Sequence, residues 1–146
     1  MNEPAIADRF RISTDPADFD LDAIHAYLTS SYWAEGISKE LVARSIANAL
    51  CFGVFDGPAQ IGFARVITDR ATFASIEDVS ILDEYQGRGL GKWLMRTITD
   101  HPDLRGLRRW CLVTQDAHGL YAQFGFAPLP APKRYMERRD IASYRD

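Results

Sequence analysis

The stretch Ser80-Ile81-Leu82-Asp83-Glu84-Tyr85-Gln86-Gly87-Arg88-Gly89-Leu90-Gly91-Lys92 reads as a strand running into a glycine-rich turn that opens a helix. Glycines let a backbone approach a ligand closely. Free N–H groups at a helix start, with the helix dipole behind them, make an anion site suited to phosphate. The turn is not a Walker A loop, which needs glycine five residues before the Gly-Lys pair and Ser or Thr after it; Gln86 and Trp93 stand there. Nor is it the dinucleotide fingerprint, because Gly87, Gly89 and Gly91 alternate and the third glycine of that pattern would fall on Lys92. A glycine-rich turn without a ligand is the plain alternative. His25, His101 and His118 are scattered, with no Cys or His at chelating spacing, so no metal site is expected. Cys51 and Cys111 each lie in a strand-like apolar segment and read as buried, reduced thiols rather than a disulfide or a catalytic pair.

The elements that must position this turn follow from periodicity. Arg9 to Ser13 alternates polar and apolar residues as a first strand would, until Asp15-Pro16 breaks it. Leu21, Ile24 and Leu28 recur at helical steps, and that helix ends before Tyr32-Trp33-Ala34-Glu35-Gly36. Ser38 can cap a second helix with Glu40 in its first turn and Val42, Ile46 and Ala49 on its apolar face. Leu50 to Phe55 and Gln60 to Thr68 flank the turn Asp56-Gly57-Pro58 as a hairpin, and Phe73 to Leu82 is a further strand. Leu90, Trp93, Leu94 and Ile98 mark a helix stopped by His101-Pro102. Arg109 to Val113 reads as a buried strand, and Asp116 can cap a short helix through Gln123 that Gly125 terminates. Arg134 to Arg138 could supply a last strand. The order β-α-α-β-β-β-α-β-α-β predicts an α/β fold around one central mixed sheet, with a crossover helix after the fourth strand.

The 146 residues, 47% hydrophobic and 25% charged, suffice for a single globular domain spanning 1–146. Seventeen basic against twenty acidic residues leave a net charge of −3, which gives no general footprint for nucleic acid or an anionic membrane. Arg108-Arg109 and Arg138-Arg139 read as ordinary surface. No apolar run reaches the roughly 20 residues of a membrane span, and Met1-Asn2-Glu3-Pro4 lacks a signal-peptide pattern, so the expected location is cytoplasmic.

At Gln86, Gly89 and Gly91 the chain resembles the GNAT superfamily of acetyl-CoA-dependent N-acetyltransferases, whose signature is Gln or Arg, two residues, Gly, one residue, then Gly or Ala. The core of the resemblance runs from about Gln60 to Pro128, and the element order fits that fold over almost the whole chain. It implies a mostly antiparallel sheet splayed at strands four and five with flanking helices. It also implies that amides from Gln86 through Lys92, including Gly87, Arg88, Gly89, Leu90 and Gly91, hold the CoA pyrophosphate. The backbone at Val79 and Ile81 would pair with the pantetheine arm. Asp116-Ala117-His118-Gly119-Leu120-Tyr121-Ala122-Gln123-Phe124-Gly125-Phe126 is similar to a second family region, matching at Ala117, Leu120, Tyr121, Gly125 and Phe126. There the resemblance implies that Tyr121 is the general acid for the departing CoA thiolate, and that Asp116 stands where relatives contact the CoA arm. A core aromatic and a plain helix cap are the alternatives.

Attack on a thioester needs a neutral amine, so the acceptor ammonium must lose a proton. Ile76-Glu77-Asp78-Val79 is similar to the Leu-Glu-Asp stretch of diamine acetyltransferases, which makes Glu77, acting through water, the first candidate base and Asp78 the second. Successive strand residues face opposite sides, so both reach one cleft only if a bulge intervenes. Tyr32, Trp33 and Glu35 form an aromatic and acidic cluster that could stack on and pair with a cationic amine; a core cover and a solvated carboxylate are the alternative. The expected activity is direct transfer of acetyl from acetyl-CoA to a primary amine of a small molecule, without metal. Cys111, in a buried strand where a thiolate is disfavoured, is not expected to carry the acetyl group. Acetylation of a protein N-terminus or lysine, or a non-catalytic acetyl-CoA sensor, are the rival readings. Family members often form dimers, so a homodimer is an option the resemblance brings.

Overall fold

Two strands with apolar side chains on both faces organise the molecule: β2 (Leu50–Asp56) and β3 (Ala59–Thr68). Such strands belong in the middle of a sheet covered on both sides. The computed structural model, which describes residues 2–145, places them second and third in a five-stranded sheet of order β1-β2-β3-β4-β5. The other strands are β1 (Phe10–Ser13), β4 (Phe73–Ile81) and β5 (Arg109–Leu112). The first four run antiparallel, and β5 lies parallel to β4 after a helical crossover, giving the mixed sheet expected.

Helices cover the two faces separately. Phe52, Val54, Ala64, Val66, Ala74 and Ile76 pack with Leu90, Leu94, Met95 and Ile98 of α4 (Leu90–Thr99) and with Ile6 of α1 (Glu3–Arg9). On the other face, Cys51 and Phe63 meet Ile24 and Leu28 of α2 (Leu21–Thr29) and Val42 and Ile46 of α3 (Lys39–Ala47). The Ser38 side chain caps α3 as the sequence predicts, accepting the Leu41 N–H at 3.2 Å. Among the described residues no helix is long and apolar enough to cross a membrane.

The fold departs from the sequence reading at both ends. Helix α1 has no apolar periodicity to reveal it over seven residues; its marks are the Asn2 side-chain cap, Pro4 in the first turn and the ion pair of Glu3 with Arg96. Arg134 to Arg138 forms no strand: a short 3-10 turn occupies Pro132–Arg134 and irregular chain follows. The edge of β5 away from β4 therefore has no strand beside it among the described residues. The expectation of a buried strand fails for the same reason: Arg109 is exposed, Trp110 to Leu112 are half-buried, and Val113 lies beyond the strand at 99% exposure. Cys111 is accordingly half-buried, whereas Cys51 is buried as expected. Asp116 does not cap α5 (His118–Ala122); Ala117 holds that position, and its N–H goes to the Thr114 hydroxyl at 3.0 Å. Gly125, at φ +89°, follows this helix as expected.

Candidate active site

The site begins where two strands part. β4 and β5 pair from Phe73 with Arg109 to Ile76 with Leu112, and no further. β4 runs on through Glu77–Ile81 with β3 on one side and a gap on the other. Two cavities fill that gap. One, about 410 Å³, is lined by Val79, Ile81, Gly87, Gly89, Gly91 and Leu120 among others. The other, about 510 Å³, is lined by Tyr32, Trp33, Glu77, Asp78, Thr114 and Leu112 among others. Tyr27, Val79, Gln86, Asp116, Ala117 and Tyr121 border both, so the two form one cleft. A larger cavity of about 690 Å³ lies elsewhere, between Leu104–Trp110 and Phe124–Pro130 at the open side of β5. It is lined by no carboxylate or imidazole and is remote from the glycine-rich turn.

At one end of the cleft, Gly87 and Gly89 take φ +79° and +82°, left-handed values that a Cβ would strain. Gly89 occupies the cap position of α4 with no side-chain acceptor, so the first-turn N–H groups there have no helical partner. Together with the positive helix end they form a place for an anion. Gln86 braces the turn by donating its side-chain amide to the Ile81 carbonyl at 3.0 Å and to Asp83 Oδ1 at 3.3 Å. Leu90 and Gly91 reach the cleft, but Arg88 and Lys92 are not among its lining residues. The Arg88 guanidinium donates to the Glu84 carbonyl and lies over the Tyr85 ring, and Lys92 is exposed. What these two bring to the turn is backbone.

Tyr121 stands at the junction of the two cavities, only 9% exposed, with its ring against Phe126. Burial pushes its phenol above the usual value, and the charge of Asp116 pushes the same way. A phenol held protonated is a proton donor at neutral pH.

The carboxylates meet at a β-bulge. Phe63 pairs with Ser80 and Arg65 with Glu77, so Asp78 and Val79 on β4 together oppose Ala64 on β3. Asp78 takes φ +56°, which non-glycine residues seldom adopt. The extra residue resets the side-chain alternation, so Ile76 and Ile81, five positions apart, face the same core. It also brings Glu77 and Asp78 to one cavity. Their engagements differ. Glu77 Oε1 accepts the Ser75 hydroxyl at 2.7 Å. Both oxygens of Asp78 are taken, Oδ1 by the Trp33 indole N–H at 3.0 Å and Oδ2 by Arg65 Nε at 2.8 Å.

Tyr32 and Trp33 wall this acceptor end, with ring centroids 5.1 Å apart, and Tyr27 adds a third ring 6.1 Å from Trp33. Glu35 is absent from this cavity but meets Tyr32 and Trp33 around a neighbouring one. Its carboxylate pairs with Arg145 at 2.6 Å, and the cavity it borders with Tyr32 and Trp33 is closed on the other side by residues 139–144. Sequence reasoning missed Tyr27 and Arg65. Tyr27 falls beside the apolar stripe of α2, and Arg65 becomes relevant only through its cross-strand pairing with Glu77. A fainter signal was present for the bulge: the apolar spacing in β4 changes from two, at Ala74 and Ile76, to three at Val79.

Comparison with known proteins agrees with this geometry. The profile of the Acetyltransferase (GNAT) family matches residues 21–126. A crystal structure from Xanthomonas campestris pv. campestris, provisionally assigned as a GNAT-family acetyltransferase, superposes with a TM-score of 0.90 at 48% identity, covering 92% of this chain and 96% of that one. Protein FG08082 of Gibberella zeae, provisionally named an acetyltransferase, is 33% identical over 137 residues, 78% of this chain and 76% of its own. A GNAT family acetyltransferase of Elizabethkingia anophelis, solved with acetyl-CoA bound, shares the fold at a TM-score of 0.64 and 16% identity, over 89% of this chain and 87% of its own. With the family profile spanning most of the sheet and the glycine-rich turn lying at the splay of β4 and β5, the chain is a member of the GNAT acetyltransferase family.

Proposed function

We propose that the protein transfers an acetyl group from acetyl-CoA directly to the primary amine of a small molecule. The observation that carries this reading is the single cleft with an anion-binding helix start at one end, Tyr121 at its junction, and Glu77 with the aromatic wall at the other. The unpartnered first-turn amides and the close-approach glycines Gly87 and Gly89 fit a pyrophosphate, and the open edge of β4 at Val79 fits an amide-bearing arm. The Ile81 carbonyl already accepts the Gln86 side chain, which makes Val79 the favoured backbone partner for that arm. Bound there, acetyl-CoA supplies the acetyl group as a thioester.

The chain's own residues then handle protons. Glu77 receives, through water, the proton that the acceptor ammonium must lose before its lone pair can attack. Asp78, with both oxygens engaged, leaves that task to Glu77. Tyr121 gives its proton to the sulfur as the carbon–sulfur bond breaks, and a neutral phenol is the form the site favours. The aromatic wall of Tyr27, Tyr32 and Trp33 supports a small cationic acceptor, since their ring faces line the amine end of the cleft. The test is mass detection of N-acetylated products after incubation with acetyl-CoA and polyamines, amino acids, arylamines, aminoglycosides or short peptides. Products from one small-amine class support the reading; products from peptides alone contradict it.

A further inference from the structure

Asp78 combines features shared by no other described carboxylate: a left-handed backbone at φ +56°, a place in a β-bulge, and a side chain 8% exposed with both oxygens bound. Its two partners come from different parts of the fold. Arg65 lies on the neighbouring strand, itself only 18% exposed, and neutralises the carboxylate. Trp33 lies in the loop between α2 and α3 and is 41% exposed, so burial alone does not hold its indole in place. We propose that Asp78 is a positioning residue: fixed by Arg65, it latches the Trp33 indole to the β4 bulge and so closes the acceptor end of the cleft to long amines.

This deepens the acetyltransferase reading and rests on it for the word acceptor, although the latch itself is a matter of geometry. The loop has other ties, among them the Ser31 hydroxyl to the Leu28 carbonyl, the Ala34 N–H to Ser31 Oγ, the Gly36 N–H to the Thr29 carbonyl, the Ile37 N–H to the Ala34 carbonyl, burial of Ala34, and Glu35 to Arg145. These fix its two ends. At the face that borders the cavity, the hydrogen bond from Trp33 to Asp78 is what ties it to the strand. A charge-assisted bond of this kind is stronger than a neutral one, and here the charge is kept in place by a second donor on the other oxygen. Released from Asp78, the half-exposed indole can swing out, and the wall shared with Tyr32 and Tyr27 opens to solvent.

Asp78→Gly tests the latch without adding backbone strain, because glycine accepts the positive φ. Trp33→Phe keeps an aromatic ring at this position, smaller than the indole, and removes the N–H donor. Protein labelled with 5-fluorotryptophan gives one fluorine resonance for each of Trp33, Trp93 and Trp110, the first assigned by its loss in Trp33→Phe. In Asp78→Gly the Trp33 resonance should move toward that of free 5-fluorotryptophan while the other two stay. Loss of dispersion at all three marks a misfolded variant, and the decision then passes to Asp78→Asn, which keeps an oxygen acceptor but loses the charge and should move Trp33 part of the way. An unmoved Trp33 resonance in a folded variant overturns the latch. With n-alkylamines from ethylamine to octylamine as acceptors, the wild type should show a length cut-off in kcat/KM, and Trp33→Phe and Asp78→Gly should relax it about tenfold. Equal losses for every amine, or no cut-off in the wild type, overturn the specificity role. If no amine is acetylated by any form, the function proposed above fails, while the fluorine spectra still decide the latch.

Discussion

Tyr121 and Glu77 sit in one cleft, and each has a role that its surroundings support. Burial and the nearby negative charge of Asp116 raise the Tyr121 phenol, so the proton donor persists through neutral and mildly alkaline pH. The rate should therefore show no fall attributable to Tyr121 between pH 7 and 9; a kcat profile that declines there, and loses the decline in Tyr121→Phe, contradicts the assignment. Glu77→Gln removes the proton acceptor but leaves an amide able to accept the Ser75 hydroxyl. It should lower kcat/KM by about 100-fold, the usual scale for general acid–base work, with acetyl-CoA affinity retained in calorimetry. Individual residues were legible in the sequence to very different degrees. Gln86, Gly89, Gly91 and Tyr121 stand in stretches that resemble family motifs, and all four line the cleft. Asp78 and Glu35 were legible as acids but not as partners of Arg65, Trp33 and Arg145, because those pairings join positions far apart in the chain.

The elements show why some parts of the fold could be read and others could not. β2 and β3 are apolar runs, β4 and α4 have an apolar period, and all four fall where these patterns and their flanking turn residues predict. Short pieces without a period, α1 and the segment after Pro132, do not, since their conformation is set by caps and contacts rather than by a repeating face. The turn before α4 depends on its backbone: Gly89→Ala places a Cβ at φ +82°, at a cost of about 1 kcal/mol, and should lower Tm by about 3 °C. Acetyl-CoA affinity should fall with it, and unchanged affinity in calorimetry would remove this turn from the binding site. In β2, burial pushes the Cys51 thiol from 9.0 up to about 12. The folded state thus holds this proton more tightly than the unfolded chain. The stability this contributes is complete below about pH 9 and lost as pH rises toward 12. Between pH 8 and 10, wild-type stability should drop by about 1 kcal/mol more than that of Cys51→Ala, read by urea unfolding at both values. Parallel curves would show that the thiol is not shielded as the fold requires.

Across the whole molecule, the sheet does two jobs at once. Its centre is sealed on both faces, by α1 and α4 on one side and α2 and α3 on the other, and this buries the apolar strands. Its fourth and fifth strands separate after four paired residues, and the separation, not a loop, makes the cleft. A bulge at the same place turns two adjacent carboxylates into the opening and lets the core pattern resume beyond it. The global arrangement was legible because the order of strands and helices limits how one mixed sheet can be built. The bulge was foreseen as the condition for Glu77 and Asp78 to share one cleft, but its place opposite Ala64 was not, because that follows from register. The central claim, acetyl transfer inside this cleft with Tyr121 as the acid, is tested most directly by acetyl-CoA-dependent thiol release. Wild type and Tyr121→Phe are compared on the best small-amine acceptor at saturating acetyl-CoA. The account predicts a loss in kcat of about 100-fold or more in the variant with acetyl-CoA binding retained; equal rates in the two proteins would contradict it.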